Sequence, residues 1–164
     1  MQRIPIPILA LALAALSSCA MARQDAAQQE LAQGQLDQAA ADIQSALSHD
    51  PDNLQIKHLA AQIFTQRGVK YYQSNEMIAA GADFHRAVDY DPFYGSAYDY
   101  LGLIAFSQHN WEDAISYGHK AAGLSGKPDP VYVQQAEQQL RKVKAGGIKP
   151  YVIPRTHHHA TDSE

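Results

Sequence analysis

A single cysteine, Cys19, stands among the 164 residues, so no disulfide can close within the chain. Positive charge is scarce: 13 Lys and Arg face 17 Asp and Glu, a formal net charge of −4. A general nucleic-acid binder needs a basic face, and that class is excluded. The apolar stretch near the amino terminus, Ile4 to Leu16, has 13 residues, whereas spanning a hydrocarbon core takes about 20. Catalytic signatures are missing as well. There is no Gly-x-Ser-x-Gly, no His-Glu-x-x-His and no phosphate-cradling glycine loop. His58, His85, His109 and His119 are scattered without a carboxylate pattern beside them. No enzymatic activity and no cofactor are expected. The composition, 46% hydrophobic and 18% charged, is that of a folded domain with its own core.

What the chain does contain is a repeat. Ala39, Ile43 and Ala46 are followed by Ala80, Phe84 and Ala87, then by Ala114, Gly118 and Ala121. The first spacing is 41 residues and the second 34. Units of this length, each with a helical stripe, stack into an array that serves as a surface for holding another molecule. In the second unit Phe64, Gly68 and Tyr71 share one face of a first helix, and Pro92 follows the second helix. Gly68 and Ala80 allow two backbones to approach, while Phe64, Tyr71 and Phe84 fill the space beside them. The third unit carries Tyr98, Leu101 and Gly102, then Trp111, Ala114 and Ala121. It departs from the pattern at Gly118, where Tyr117 is expected to compensate in part.

The first unit is the weakest. Its opening helix, about residues 22–33, offers Ala26, Ala27 and Leu31, while Leu36, Ala39, Ile43, Ala46 and Leu47 mark its second helix. The seven extra residues between units one and two make about two helical turns. Leu54, Leu59, Ile63 and Phe64 keep the stripe through them, so the spacing predicts a long helix over about 53–74, capped by Asp52 or Asn53. Beyond Pro130, the stripe of Val133, Ala136, Leu140 and Val143 reads as a capping helix over 130–145. Residues 146–164, with Pro150 and Pro154, read as a flexible tail.

These units resemble the tetratricopeptide repeat, a pair of antiparallel helices with small residues at closest approach, over roughly residues 20–126. The resemblance implies an all-α fold: a short right-handed solenoid of about three helix pairs plus a C-terminal capping helix. The domain would cover 19–145, with units at about 20–52, 53–94 and 95–128. It also implies a concave face lined by the first helix of each pair. That face would include Gln62, Thr65, Val69 and Tyr72, then Asp99, Leu103 and Phe106, with Gln24, Gln28 and Leu31 from the first unit. Such a groove suits an apolar or extended peptide segment. Chaperone-binding members of the family clamp a terminal carboxylate with Lys and Asn there. Thr65, Val69, Asp99 and Leu103 do not match that clamp, and that function is rejected. Tyr72 and Phe106 have an alternative reading as core residues of a small stack.

At the amino terminus, Arg3, the apolar stretch and the small residues after it read as a secretory signal. Leu16-Ser17-Ser18-Cys19 resembles the lipobox of bacterial lipoproteins. That resemblance implies a signal peptide over 1–18 and an acylated Cys19 at the head of the mature chain. The alternative is a plain signal peptide cut near residues 20–22. Acyl chains contribute about 0.8 kcal/mol per buried methylene, so several on one cysteine anchor a protein stably. Ala20 follows the cysteine. In enterobacterial lipoproteins an Asp there retains the protein at the inner membrane, so the resemblance implies the outer membrane, facing the periplasm. A spacer of about five residues before the first helix would hold the array close to the lipid.

The expected function is therefore a membrane-anchored adaptor or scaffold in the bacterial cell envelope, serving secretion, pilus or cell-wall machinery. Its partner would be a protein or peptide segment, with self-association open. The alternative is an envelope lipoprotein that binds a small ligand or metal through the groove or through His157-His158-His159. Adjacent histidines do not converge as structural ligands do, so no metal site is assigned. Tyr90, Tyr94, Tyr98 and Tyr100 fit either an interface or packing between units two and three. Charge is uneven: seven acidic residues and only Arg86 lie between Glu76 and Asp113, and seven basic and two acidic residues between Lys120 and Arg155. Either a steering field or ordinary solvated helix faces would give that count.

Overall fold

The computed structural model describes the backbone of residues 6–146 and the side chains of residues 18–146. Seven helices follow in order, with no strand among the described residues: α1 (Ile6–Ala32), α2 (Leu36–His49), α3 (Leu54–Gln73), α4 (Met77–Tyr90), α5 (Gly95–Ser107), α6 (Trp111–Ser125) and α7 (Val131–Ala145). They pair as α1 with α2, α3 with α4 and α5 with α6, and α7 closes against α6. The first helices also touch in sequence, α1 to α3 to α5 to α7, whereas α2, α4 and α6 do not touch one another among the described residues. The first helices thus form the inner side of a short all-α solenoid.

Register explains the packing. Ala39, Ala46, Ala80, Ala87 and Ala114 are wholly buried, and Ile43 and Phe84 fill the space beside them. At Gly68 a Cβ would stand 2.8 Å from Phe84 Cε1, so only glycine admits that ring. The turns inside the pairs repeat as well. Gly34, Asn75 and His109 all have positive φ, at +73°, +62° and +59°. Glycine and asparagine suit the left-handed region; His109 occupies it at some cost.

The long helix is present: α3 has 20 residues against 13 in α5. Asn53 caps it, accepting from the N–H groups of Gln55 at 3.0 Å and Ile56 at 3.3 Å. Gly68 comes 14 residues after Leu54, but Gly102 only seven after Gly95, so the added turns lie at the start of α3. A buried ion pair locks α3 to α4. Asp83, 2% exposed, accepts from Arg67 Nε at 2.6 Å and Nη2 at 2.9 Å, and from Arg86 Nη1 at 3.2 Å.

Three expectations change. The first helix does not begin near residue 22, and no extended spacer follows Cys19; α1 runs unbroken through it. Nothing between Pro7 and Gly34 breaks a helix, and Pro7 sits in the first turn, where proline is tolerated. The space over Gly118 is filled by Val133 and Tyr132 of α7, on which a Cβ there would land, rather than by Tyr117. Finally, the stripe of α7 is buried only in its first half: Val133 and Ala136 are buried, Leu140 and Val143 half-buried. No helix among the described residues is long and apolar enough to cross a membrane. The tail beyond Gly146 and its three histidines lie outside the described residues.

Candidate partner-binding face

The inner side of the solenoid is built from the first helices, and α3 contributes most of it. Gln62, Val69 and Tyr72 are half-buried, and Val69 and Tyr72 rest on the main core while keeping part of their surface in solvent. Thr65 lies deeper, 5% exposed, and its Oγ1 has no hydrogen-bond partner. An unmatched buried hydroxyl is costly in a folded protein, by roughly 1–3 kcal/mol, so its presence marks a position worth explaining. Tyr72 meets Tyr100 edge-on at 5.6 Å, which fixes its ring against α5. In α1, Gln28 is exposed and Gln24 and Leu31 are half-buried.

On α5 the expected residues divide. Leu103 is half-buried. Phe106 is edge-on to Trp111 at 5.4 Å and tilted against Tyr132 at 6.2 Å, so it belongs more to the α5–α6–α7 core than to an open groove. Asp99 is not a free carboxylate. Its Oδ1 accepts from the Tyr132 hydroxyl at 3.0 Å, and its backbone oxygen lies 3.3 Å from the same group. Burial, then the Asp99 charge and the hydrogen bond to it, push the Tyr132 phenol far above its ordinary range. At the carboxyl end of this face α7 lays Tyr132 against Asp99 and Gly102 of α5.

Sequence reading missed Tyr132, although a signal was there. Phe64, Tyr98 and Tyr132 are spaced by 34, as are Gly68, Gly102 and Ala136. By that register α7 stands where the first helix of a fourth unit would, and in that place it caps the stack. The other clustered tyrosines resolve into packing within units two and three and, at Tyr100, between them. Tyr90 stacks on Phe64 at 5.6 Å, Tyr100 on Phe84 at 4.9 Å, and Tyr98 leans on Tyr117 at 6.3 Å. Part of the acidic excess is internal too, since Asp83 is spent on Arg67 and Arg86.

No protein family matches the sequence, and no curated protein is similar to it. Solved structures do show similarity. One is the first tetratricopeptide-repeat domain of Spaghetti (RPAP3) bound to the HSP90 peptide SRMEEVD, at 22% identity over 79% of this chain and 94% of that one, with a TM-score of 0.45. Another is the Sgt2 tetratricopeptide-repeat domain from Aspergillus fumigatus, at 18% identity over 88% of this chain and 93% of that one, with a TM-score of 0.45. The chain resembles these tetratricopeptide-repeat domains in its all-helical fold.

Proposed function

We propose that the protein is a membrane-anchored adaptor of the bacterial cell envelope that holds a segment of a protein partner along its first-helix face. The observation that carries the adaptor is that face itself. Gln62, Val69, Tyr72 and Leu103 keep part of their surface open, beside the unmatched hydroxyl of Thr65. An extended peptide brings both apolar side chains and backbone hydrogen-bonding groups to such a surface. The small-ligand alternative calls for a ligand-sized pocket or converging metal ligands. A cleft lined by Gly95, Asp99, Lys127 and Pro130 holds about 140 Å³, against roughly 300 Å³ or more for ordinary ligand pockets. Among the described residues no three His, Cys, Asp or Glu side chains converge for a metal.

Helix lengths support the anchor. Cys19 is exposed, and its Sγ lies 3.5 Å from His49 Nε2 at the last residue of α2. Removing residues 1–18 leaves Cys19–Ala32, 14 residues, beside the 14 of α2, so the cut trims the pair flush. A cut near residues 20–22 would instead take away Ala20, which is 2% exposed in the core. Placement in the outer membrane rests on Ala20 following the cysteine.

A photoreactive residue at Tyr72 tests the face in the intact envelope, with Ile78, on the outer helix α4, as control. A discrete cross-linked protein from Tyr72 and none from Ile78 is expected; the reverse pattern overturns the groove. The mass of the mature chain tests the anchor separately. An unmodified Cys19, or a chain starting after it, defeats it.

A further inference from the structure

Antiparallel pairing sends the starts of α3, α5 and α7 and the ends of α2, α4 and α6 to one edge of the stack. Cys19 joins that edge through its contact with His49. Five large apolar side chains are exposed among the described residues, and four stand here: Met21 at 65%, Leu54 at 78%, Phe93 at 76% and Val131 at 70%. Leu54 and Val131 open α3 and α7, Phe93 lies two residues before α5, and Met21 lies within a turn of Cys19. The fifth, Ile78, is the second residue of α4 at the other edge. The turns of that other edge, Gln33-Gly34-Gln35, Ser74-Asn75-Glu76 and Gln108-His109-Asn110, carry no apolar side chain. Scattered exposed apolar residues are normal; one near the start of each first helix, α1 counted from Cys19, along a single edge is a pattern.

The geometry points to an occupant for this edge: we infer that it lies against the lipid surface, with Met21, Leu54, Phe93 and Val131 set into the headgroup boundary. This rests on the anchoring at Cys19. Continuity favours lipid over a protein partner. Before processing, α1 continues from Cys19 to Ile6 past the end of α2, so the apolar leader leaves the stack from this same edge. The contact is apolar rather than electrostatic. Here Asp91 accepts from the Phe93 N–H at 2.9 Å and meets His58 at 2.7 Å; Asp129 meets His119 at 2.9 Å; Asp50 accepts from Asn53 at 2.9 Å. Asp52, 99% exposed beside Leu54, keeps only a 3.8 Å pair with Lys57, and with no run of Lys or Arg the edge has no means of attracting anionic headgroups strongly. The seven added residues at the start of α3 lengthen that helix by about 10 Å and carry Leu54 outward with it.

The test uses the mature acylated protein in vesicles of phosphatidylethanolamine and phosphatidylglycerol. In that form Cys19 is blocked, so a single introduced cysteine carries an environment-sensitive fluorophore. Leu54→Cys, Phe93→Cys and Val131→Cys report on the edge, and Asn75→Cys and Gln108→Cys on its opposite. Quenching by brominated lipid is expected to be roughly twofold or more stronger at the three edge positions, greatest at Leu54, and unchanged by added salt. Equal, weak quenching at all five positions overturns the edge contact while leaving the anchor standing. Quenching that salt abolishes also overturns it, since the attraction would then be ionic. A chain whose mass shows no acyl group and which does not float with vesicles fails the anchoring reading instead, so the two failures are told apart.

Discussion

The Tyr132 hydroxyl donates to Asp99 Oδ1 across 3.0 Å, tying the last helix to the first helix of the third pair. Tyr132 is 8% exposed, and Asp99 is half-buried. A hydrogen bond to a charged acceptor in such a place is worth about 1.5–3 kcal/mol. Tyr132→Phe keeps the ring over Gly102 and removes only the donor. It should lower unfolding stability by about 1–2 kcal/mol in urea, with the slope unchanged. Asp99→Asn should cost less, since the amide oxygen still accepts. In a double-mutant cycle the two should couple by about 1 kcal/mol. Strict additivity would show that the bond contributes nothing.

Two glycines against α7 should respond to alanine in the opposite sense to a third. In a helix interior glycine costs about 1 kcal/mol relative to alanine. At Gly123, where a Cβ meets nothing within 4 Å, Gly123→Ala should recover most of that as added stability. At Gly118 a Cβ would land on Val133 and Tyr132, and at Gly102 on the Tyr132 ring. Overpacking costs about 1–3 kcal/mol, and here it exceeds the propensity gain. Gly118→Ala and Gly102→Ala should therefore destabilise the protein, with proteolysis of α7 appearing first. Stabilisation by all three would mean that α7 is not seated on these positions.

Much of the fold was legible because small residues mark helix crossings. Ala39, Ala80 and Ala114 set the register, and the whole-turn insertion before Phe64 kept its stripe intact. The groove was only partly legible. Gln62, Val69, Tyr72 and Leu103 stay partly open, but Phe106 and Asp99 depend on a helix whose role was read as a simple cap. Periodicity tells which side of a helix faces inward; it does not tell which neighbour reaches across. The continuity of α1 through Cys19 was hidden for another reason. A leader is read as a signal by its charge and apolarity, yet the same Ala- and Leu-rich residues are strong helix formers.

Glu30 gives a pH dependence with a definite sign. Burial, reinforced by Asp42 and offset by Arg23, raises its carboxyl above the ordinary value. Its Oε2 is buried without a partner, and it sits in the last turn of α1, where the helix dipole disfavours a negative charge. The folded state therefore holds the proton more tightly than the unfolded chain. Stability is lost as pH rises from the ordinary carboxylate value through the raised one, and regained on acidification. Glu30→Gln removes that dependence. It should stabilise the protein at neutral pH by less than about 1 kcal/mol, since solvent reaches part of the side chain. The difference from wild type should vanish below the ordinary carboxylate range. A variant less stable than wild type at neutral pH would contradict the assignment.

Two ion pairs of nearly equal length should differ sharply in worth, because burial rather than distance decides. Arg67 Nε and Asp83 Oδ2 are 2.6 Å apart, with side chains 15% and 3% exposed. Arg23 Nη1 and Asp42 Oδ1 are 2.7 Å apart, with side chains 51% and 20% exposed. Arg67 also lies over the Phe64 ring at 5.2 Å, so its charge is held among aromatic groups with little water. Asp83→Asn leaves that guanidinium with only the exposed Asp37 carboxylate, 3.3 Å from its Nη1, and should cost about 3 kcal/mol. Arg23→Ala should cost less than about 1 kcal/mol and fade with salt, as exposed pairs do. Replacing both Arg67 and Asp83 by leucine should recover part of the loss, since only the solvent-exposed Arg86 and Asp37 then lose a partner. Urea unfolding of the three variants and the wild type at low and high salt measures all of this. Equal costs for Asp83→Asn and Arg23→Ala would mean that solvent reaches Asp83 as freely as it reaches Arg23.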